Sequence, residues 1–145
     1  MPLHIVKLCV GCDSVDDLAG WIASRGADKL RRGLPPEHIH RTRMSPKRAD
    51  EVLDGGSLYW VIKGEIKVRE AILDLRAVKD EQGVPHCDIV LSGELVPVIP
   101  RRMRPFQGWR YLPAEDAPRD VAQASSALRA LPPELARELT ALGLL

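Results

Sequence analysis

Apolar and polar residues alternate with a period of two from Leu3 to Val10. Val6, Leu8 and Val10 fall on one face, and Leu3, Ile5 and Cys9 on the other. Apolar side chains on both faces predict a central strand covered from both sides. The spacing then becomes helical. Val15, Leu18, Ala19 and Ile22 follow i, i+3, i+4 and i+7. Ser14 and Asp17 match the capping pattern at the start of that helix, and Gly26 offers a stop. Residues 27–37 are basic and broken by Gly33, Pro35 and Pro36, which predicts a surface loop. His38 to Met44 reads as a short polar strand. A second helix is expected over 46–54, with Ser45 as cap, Pro46 in the first turn and Ala49, Val52 and Leu53 inward; Gly55-Gly56 ends it.

Strand alternation returns at Leu58. Leu58, Trp60 and Ile62 share one face, and Tyr59, Val61 and Lys63 the other. Ile66 to Val78 fits either period, because Val68, Ala71, Ile72 and Leu75 also have helical spacing. Gly64 before it and the Asp80–Gly83 turn after it favour a hairpin arm, with a bulge expected near Glu70 where the apolar phase shifts. Cys87, Ile89 and Leu91 continue the meander. Pro97 and Pro100 make Leu95–Ile99 an edge strand at best. Trp109 and Tyr111 mark one more strand. Beyond it, Val121, Ala124, Leu128 and Leu131 share a helical face, and Leu135, Leu139 and Leu142 form another after Pro132-Pro133. Strand, helix, loop, helix and meander give an α+β domain over 1–120, with a helical C-terminal appendage over 121–145. Neither a G-x-G-x-x-G nor a P-loop is present, which argues against a dinucleotide or nucleoside-triphosphate fold.

Length and composition narrow the class. The 145 residues suit one domain, and 45% hydrophobic with 28% charged residues is ordinary for a globular protein. No run approaches the roughly 18 apolar residues of a membrane span, and Lys7 interrupts the only N-terminal apolar stretch, so neither a membrane nor a secretory route is expected. Three cysteines make no disulfide framework and point to a reducing cytoplasm. Cys9 and Cys12 form a C-x-x-C, but Cys9 lies within a predicted strand, and zinc would need further ligands that His4, His86 and Cys87 do not supply at a familiar spacing. No metal site and no cofactor are expected. His38 and His40 share one strand face. Glu65 and Glu70 are acid–base candidates only if buried together.

Net charge of +1 gives no global signal, so the local pattern carries the argument. Five of the six aromatic residues lie in two short segments, Tyr59-Trp60 and Phe106, Trp109 and Tyr111. Arg41, Arg43, Lys47 and Arg48 precede the first, and Lys63, Lys67 and Arg69 follow it. Arg101, Arg102, Arg104 and Arg110 surround the second. Base-stacking rings bordered by phosphate-binding cations need this combination. Trp60, alternating with Leu58 and Ile62, reads as core. Phe106 and Trp109, in the Pro/Gly-containing basic stretch RRMRPFQGWRY, are the candidate stacking rings. The bland reading makes them a core cluster with a solvated basic rim.

The segments KLCVG at 7–11, MSPKRADEVLDGGSLYWVIKG at 44–64, RPFQGWRYL at 104–112 and EDAPRD at 115–120 resemble a bacterial, chiefly alphaproteobacterial, family of cytoplasmic proteins of unknown function. The resemblance covers roughly residues 3–120. Met44 to Val78 also resembles the helix–Gly–strand–strand core of PUA-like domains, especially the ASCH branch. Gly64-Glu65-Ile66-Lys67-Val68-Arg69-Glu70 keeps the residue types of the G-x-K-x-x-E-x-R signature at altered spacing. That second resemblance implies a small mixed, mostly antiparallel β-barrel with flanking helices, of a kind in which many members bind RNA or modified bases. The combined expectation is RNA or nucleotide binding in a basic aromatic cleft. The alternatives are an enzyme acting on a nucleotide-like or other small substrate there, and a partner-binding module using the C-terminal helices. A buried carboxylate or histidine beside the aromatics distinguishes an enzyme from a binder.

Overall fold

The computed structural model describes residues 2–123. The appendage expected over 121–145 lies outside the described residues from 124 onward. β1 (Leu3–Leu8) has the two-sided burial its sequence predicts. Leu3 and Ile5 enter one core and Val6 the other, while Val10, placed in this strand by its alternation, lies beyond the strand end and is 80% exposed.

α1 (Val15–Arg31) begins at Ser14, whose hydroxyl accepts from the Asp17 amide at 3.1 Å. It runs five residues past Gly26, so the expected stop and the first five residues of the expected loop are replaced by helix. Gly26 lacks the terminating bonds, and Gly33 has them. Gly33 sits at φ +72, its amide donates to Leu30, and the Leu34 amide donates to Lys29 at 2.8 Å. That is the Schellman arrangement, which a left-handed glycine permits. β2 (His38–Thr42) follows. The second helix is shorter than its caps suggest: α2 spans only Ala49–Leu53, and Ser45-Pro46 precedes it as irregular chain with Pro46 buried.

β3 (Ser57–Ile62) is buried throughout. It follows Gly56, where an added Cβ would lie 2.3 Å from the Val52 carbonyl oxygen and 2.4 Å from that of Leu3. Only glycine lets α2 and β1 approach this closely. Lys63 (φ 50) and Gly64 (φ 78) make the two-residue turn into β4 (Glu65–Lys79), both with the positive φ of a type I′ hairpin. The segment is a strand, not a helix. Its irregularities fall at Lys67, where Trp60/Val61 pair with Val68/Ile66, and between Ile72 and Asp74. Glu70, the expected bulge, is regularly paired with Leu58.

β5 (Pro85–Leu91), β6 (Val96–Arg102) and β7 (Trp109–Pro113) complete the sheet, and a 3-10 turn at Ala114–Asp116 follows. The order is β2-β5-β4-β3-β1-β7, with β6 paired to β4 and, on its outer side, only to the short bridge Val98–Asp120, in keeping with its two prolines. β1 and β3 are parallel, and the other pairings are antiparallel. The fold is therefore α+β with a mostly antiparallel sheet. It is not closed: β4 gives its first half to β3 and β6 and its second half to β5, leaving β2 and β7 as separate edges. One face carries Ile5, Leu18, Val52, Leu58, Trp60, Val68 and Trp109 beneath the helices, and the other carries Val6, Tyr59, Val61, Ile66, Val98, Phe106 and Leu112. No helix of the described residues is long and apolar enough to cross a membrane.

Candidate functional site

Strand register places Trp109, Lys7, Trp60 and Val68 in one row across β7, β1, β3 and β4. Lys7 alternates with Ile5 and so belongs to the helix-covered face. A lysine between two tryptophans divides that face into two hollows.

Under the first lies Glu70, fully buried in β4. Its Oε1 accepts from Trp60 Nε1–H at 2.9 Å. Its Oε2 is 2.8 Å from His38 Nδ1 and accepts from the Gly93 amide at 3.1 Å. Two of these groups are obligate donors, which suits an acceptor-only carboxylate. His38 then donates from Nδ1. Above this network is a cavity of about 150 Å³ lined by Lys7, Cys9, Trp21, Arg25, His38, His40 and Trp60. His40 packs edge-on against Trp60, with ring centroids 5.5 Å apart, and its Nε2 is buried without a hydrogen-bond partner. Burial, reinforced by the charges of Lys7, His38 and Arg25, pushes the His40 pKa down to about 4, so the ring is neutral near pH 7. Burial and a hydrogen bond with Cys12 push the Cys9 thiol up to about 12. Cys9 is therefore a neutral thiol and not a nucleophilic thiolate. Cys12 is buried and donates its thiol proton to the Ser14 carbonyl at 3.1 Å. All three cysteines are free, and no group of three metal-ligating side chains occurs among the described residues.

The second hollow is a cleft of about 490 Å³ between residues 44–48 and β7, lined by Met44, Ser45, Lys47, Arg48, Trp109, Arg110 and Tyr111. Trp109 is 5% exposed and donates its indole N–H to the Met44 carbonyl at 2.8 Å. Tyr111 stacks edge-on against Trp109 at 4.9 Å and accepts from the Arg48 amide at 3.0 Å.

The expected nucleic-acid residues thus separate into groups. Lys47, Arg48, Trp109 and Arg110 border the cleft. Lys63, Arg102 and Arg104 meet around a different hollow of about 550 Å³ at the β3–β4 turn, with Gly64, Glu65 and Met103. Phe106 is buried in the opposite core with the Arg110 guanidinium 4.7 Å over its ring, so this loop presents the cation and not the expected stacking face. Arg101 donates to the Asp116 carbonyl. Arg41 lies apart on β2, bound to Asp88 through two bonds of 2.7 and 3.1 Å. Arg43 is exposed. Trp60 is core, as its alternation requires, but its N–H serves Glu70.

The family model described as "Protein of unknown function (DUF1489)" matches residues 5–145. The chain belongs to this family. The DUF1489 match continues past residue 120, where the sequence resemblance had been expected to end, and it includes both hollows. No curated protein and no solved structure matches the chain. A family of unknown function assigns no activity to either hollow.

Sequence reasoning named Glu70 and the His38/His40 pair without joining them. The available signal was the alternation Val68–Glu70–Ile72, which puts a carboxylate at an inward position. Lys7, Trp21 and Arg25 carry no motif at all.

Proposed function

We propose that the chain binds RNA or a nucleotide-like ligand on the basic surface around β7, in the cytoplasm. The observation that carries this reading is the cleft in which the apolar surfaces of Met44, Trp109 and Tyr111 meet Lys47 and Arg48, the latter shared with Glu51, while the Arg110 guanidinium lies on the opposite sheet face over Phe106. Its volume of about 490 Å³ suits a nucleoside-sized ligand. A base needs an apolar slot with a π-face, and its phosphates need cations at the rim. Tyr111, half-buried with the Arg48 guanidinium 5.7 Å over its ring, is the ring a base would reach by displacing that cation, and Trp109 forms the floor. Lys47, Lys63, Arg102, Arg104 and Arg110 have no carboxylate partner among the described residues, so their field is not cancelled locally. The likeness of residues 44–78 to PUA-like domains supports the same ligand class.

Fluorescence anisotropy with short single-stranded and structured RNA over a salt series tests this. Lys47→Ala and Arg102→Ala should weaken binding to all sequences and flatten the salt dependence by about one unit of slope each. Tyr111→Ala should cost about 1–3 kcal/mol per stacked base and leave the slope unchanged. Arg41→Ala, whose charge is held by Asp88, should alter neither. Wild-type affinity no better than about 10⁻⁴ M ends the reading.

A further inference from the structure

The cavity above Glu70 has unmatched polar groups on several sides. Lys7 comes from β1 and Arg25 from α1, and neither has a carboxylate partner among the described residues. Arg25 lies 5.7 Å over the ring of Trp21, which lines the same cavity. From β2, His40 contributes a buried Nε2 with no partner, and His38 contributes a ring whose Nδ1 is tied to Glu70. Glu70, the buried carboxylate nearby among the described residues, is spent on Trp60, His38 and Gly93. An orphaned buried nitrogen beside two unpaired cations costs free energy that a complementary ligand recovers. At about 30 Å³ per water, 150 Å³ holds about five waters, or one small organic anion.

We propose that this cavity binds a small anion with a hydrogen-bond donor next to its charge, of the 2-hydroxycarboxylate class: Lys7, Arg25 and His40 Nε2–H hold the carboxylate, and His38 Nε2 accepts from the hydroxyl. The Glu70 bond fixes one His38 proton on Nδ1, and the acceptor role is that of Nε2 in the neutral ring. Neutrality of His40 agrees with a ring that donates one hydrogen bond and brings no third charge. The site is separate from the β7 cleft, so nucleotide binding there can fail without affecting it.

The probes are glycolate and acetate, which share their charge and differ in the hydroxyl. Titration of the labelled full chain is followed by the three indole N–H signals in nitrogen–proton correlation spectra. Trp60 and Trp21 should shift and saturate, with Kd of about 1–10 mM, a scale open to a ligand of few heavy atoms. Trp109, on the other hollow, should stay fixed. Glycolate should bind about fivefold tighter than acetate, the worth of one added hydrogen bond. Arg25→Gln, exposed on α1, should weaken both anions about fivefold or more. His38→Phe should abolish the glycolate preference. Should that variant not fold, the wild-type His38 Nε2 resonance serves instead, moving with glycolate and not with acetate. Unsaturable shifts, equal affinity for the two anions, or an Arg25→Gln variant that binds both as wild type does would overturn the proposal.

Discussion

Replacing Glu70 with glutamine keeps the side-chain size and exchanges one acceptor oxygen for an amide group. The native carboxylate serves Trp60 Nε1–H, Gly93 N–H and His38 Nδ1 within 3.1 Å. A glutamine must turn its NH₂ toward one obligate donor, either the indole or the Gly93 amide. In both orientations one buried donor faces another and is left unsatisfied, at about 1–3 kcal/mol. The remaining bonds lose their charge assistance, which is worth roughly a further 1 kcal/mol. The sum is about 3 kcal/mol, or a melting point lowered by about 10 °C for a chain of this size. Urea denaturation at pH 7, followed by tryptophan fluorescence, reads it directly. The double variant with Trp60→Phe isolates the indole bond: the two losses should be less than additive by about 1 kcal/mol, since either change alone already breaks it. A Glu70→Gln variant within about 0.5 kcal/mol of wild type would refute the three-donor account, as would full additivity with Trp60→Phe.

Three further outcomes follow from the packing and charge. Gly56→Ala should cost more than about 3 kcal/mol, since its Cβ would overlap two backbone oxygens, while Gly83→Ala, in open space at φ +78, should cost about 1–2 kcal/mol; equal thermal stability of the two would contradict the contact. Native His40 stays neutral down to about pH 4 while the unfolded chain protonates near 6.5, so its contribution is full above pH 6.5 and lost as pH falls toward 4, by up to about 3 kcal/mol. His4, whose Nδ1 accepts from the Ser57 amide and whose pKa is lowered by burial and then by Arg69, acts in the same direction. His40→Phe should shallow this limb of a stability–pH curve, and an unchanged limb counts against it. Asp120 is bound by Arg69 through two bonds of 2.8 Å, which hold its carboxyl below the usual range, so Asp120→Asn should cost about 1–2 kcal/mol at pH 7 and nothing near pH 2, where wild type has lost the pair as well.

Local chemistry was legible in the sequence wherever a residue's neighbours along the chain decide its state. The two faces of β1, the alternation of Leu58, Trp60 and Ile62 and the Ser14 cap depend only on period and on bonds within one turn. The edge position of β6 is similar, because proline lacks the N–H a central strand must give. Sequence also placed the cations and rings of the β7 region near one another, since most lie within ten residues. Tertiary structure decided what depends on partners distant in the chain. Gly26 and Gly33 are equally permissive, and the strand that α1 must reach selects Gly33 as its end. Phe106 and Trp109 are three residues apart in the chain, one before β7 and one opening it, yet they enter opposite cores because the sheet runs between them. Glu70 looked like an interruption of the apolar pattern. Residues from β2, β3 and the Gly93 turn, 10 to 32 positions away, supply the three hydrogen bonds that let a carboxylate take an inward place. A buried charge is tolerable only when such partners converge, and convergence is a property of the folded chain.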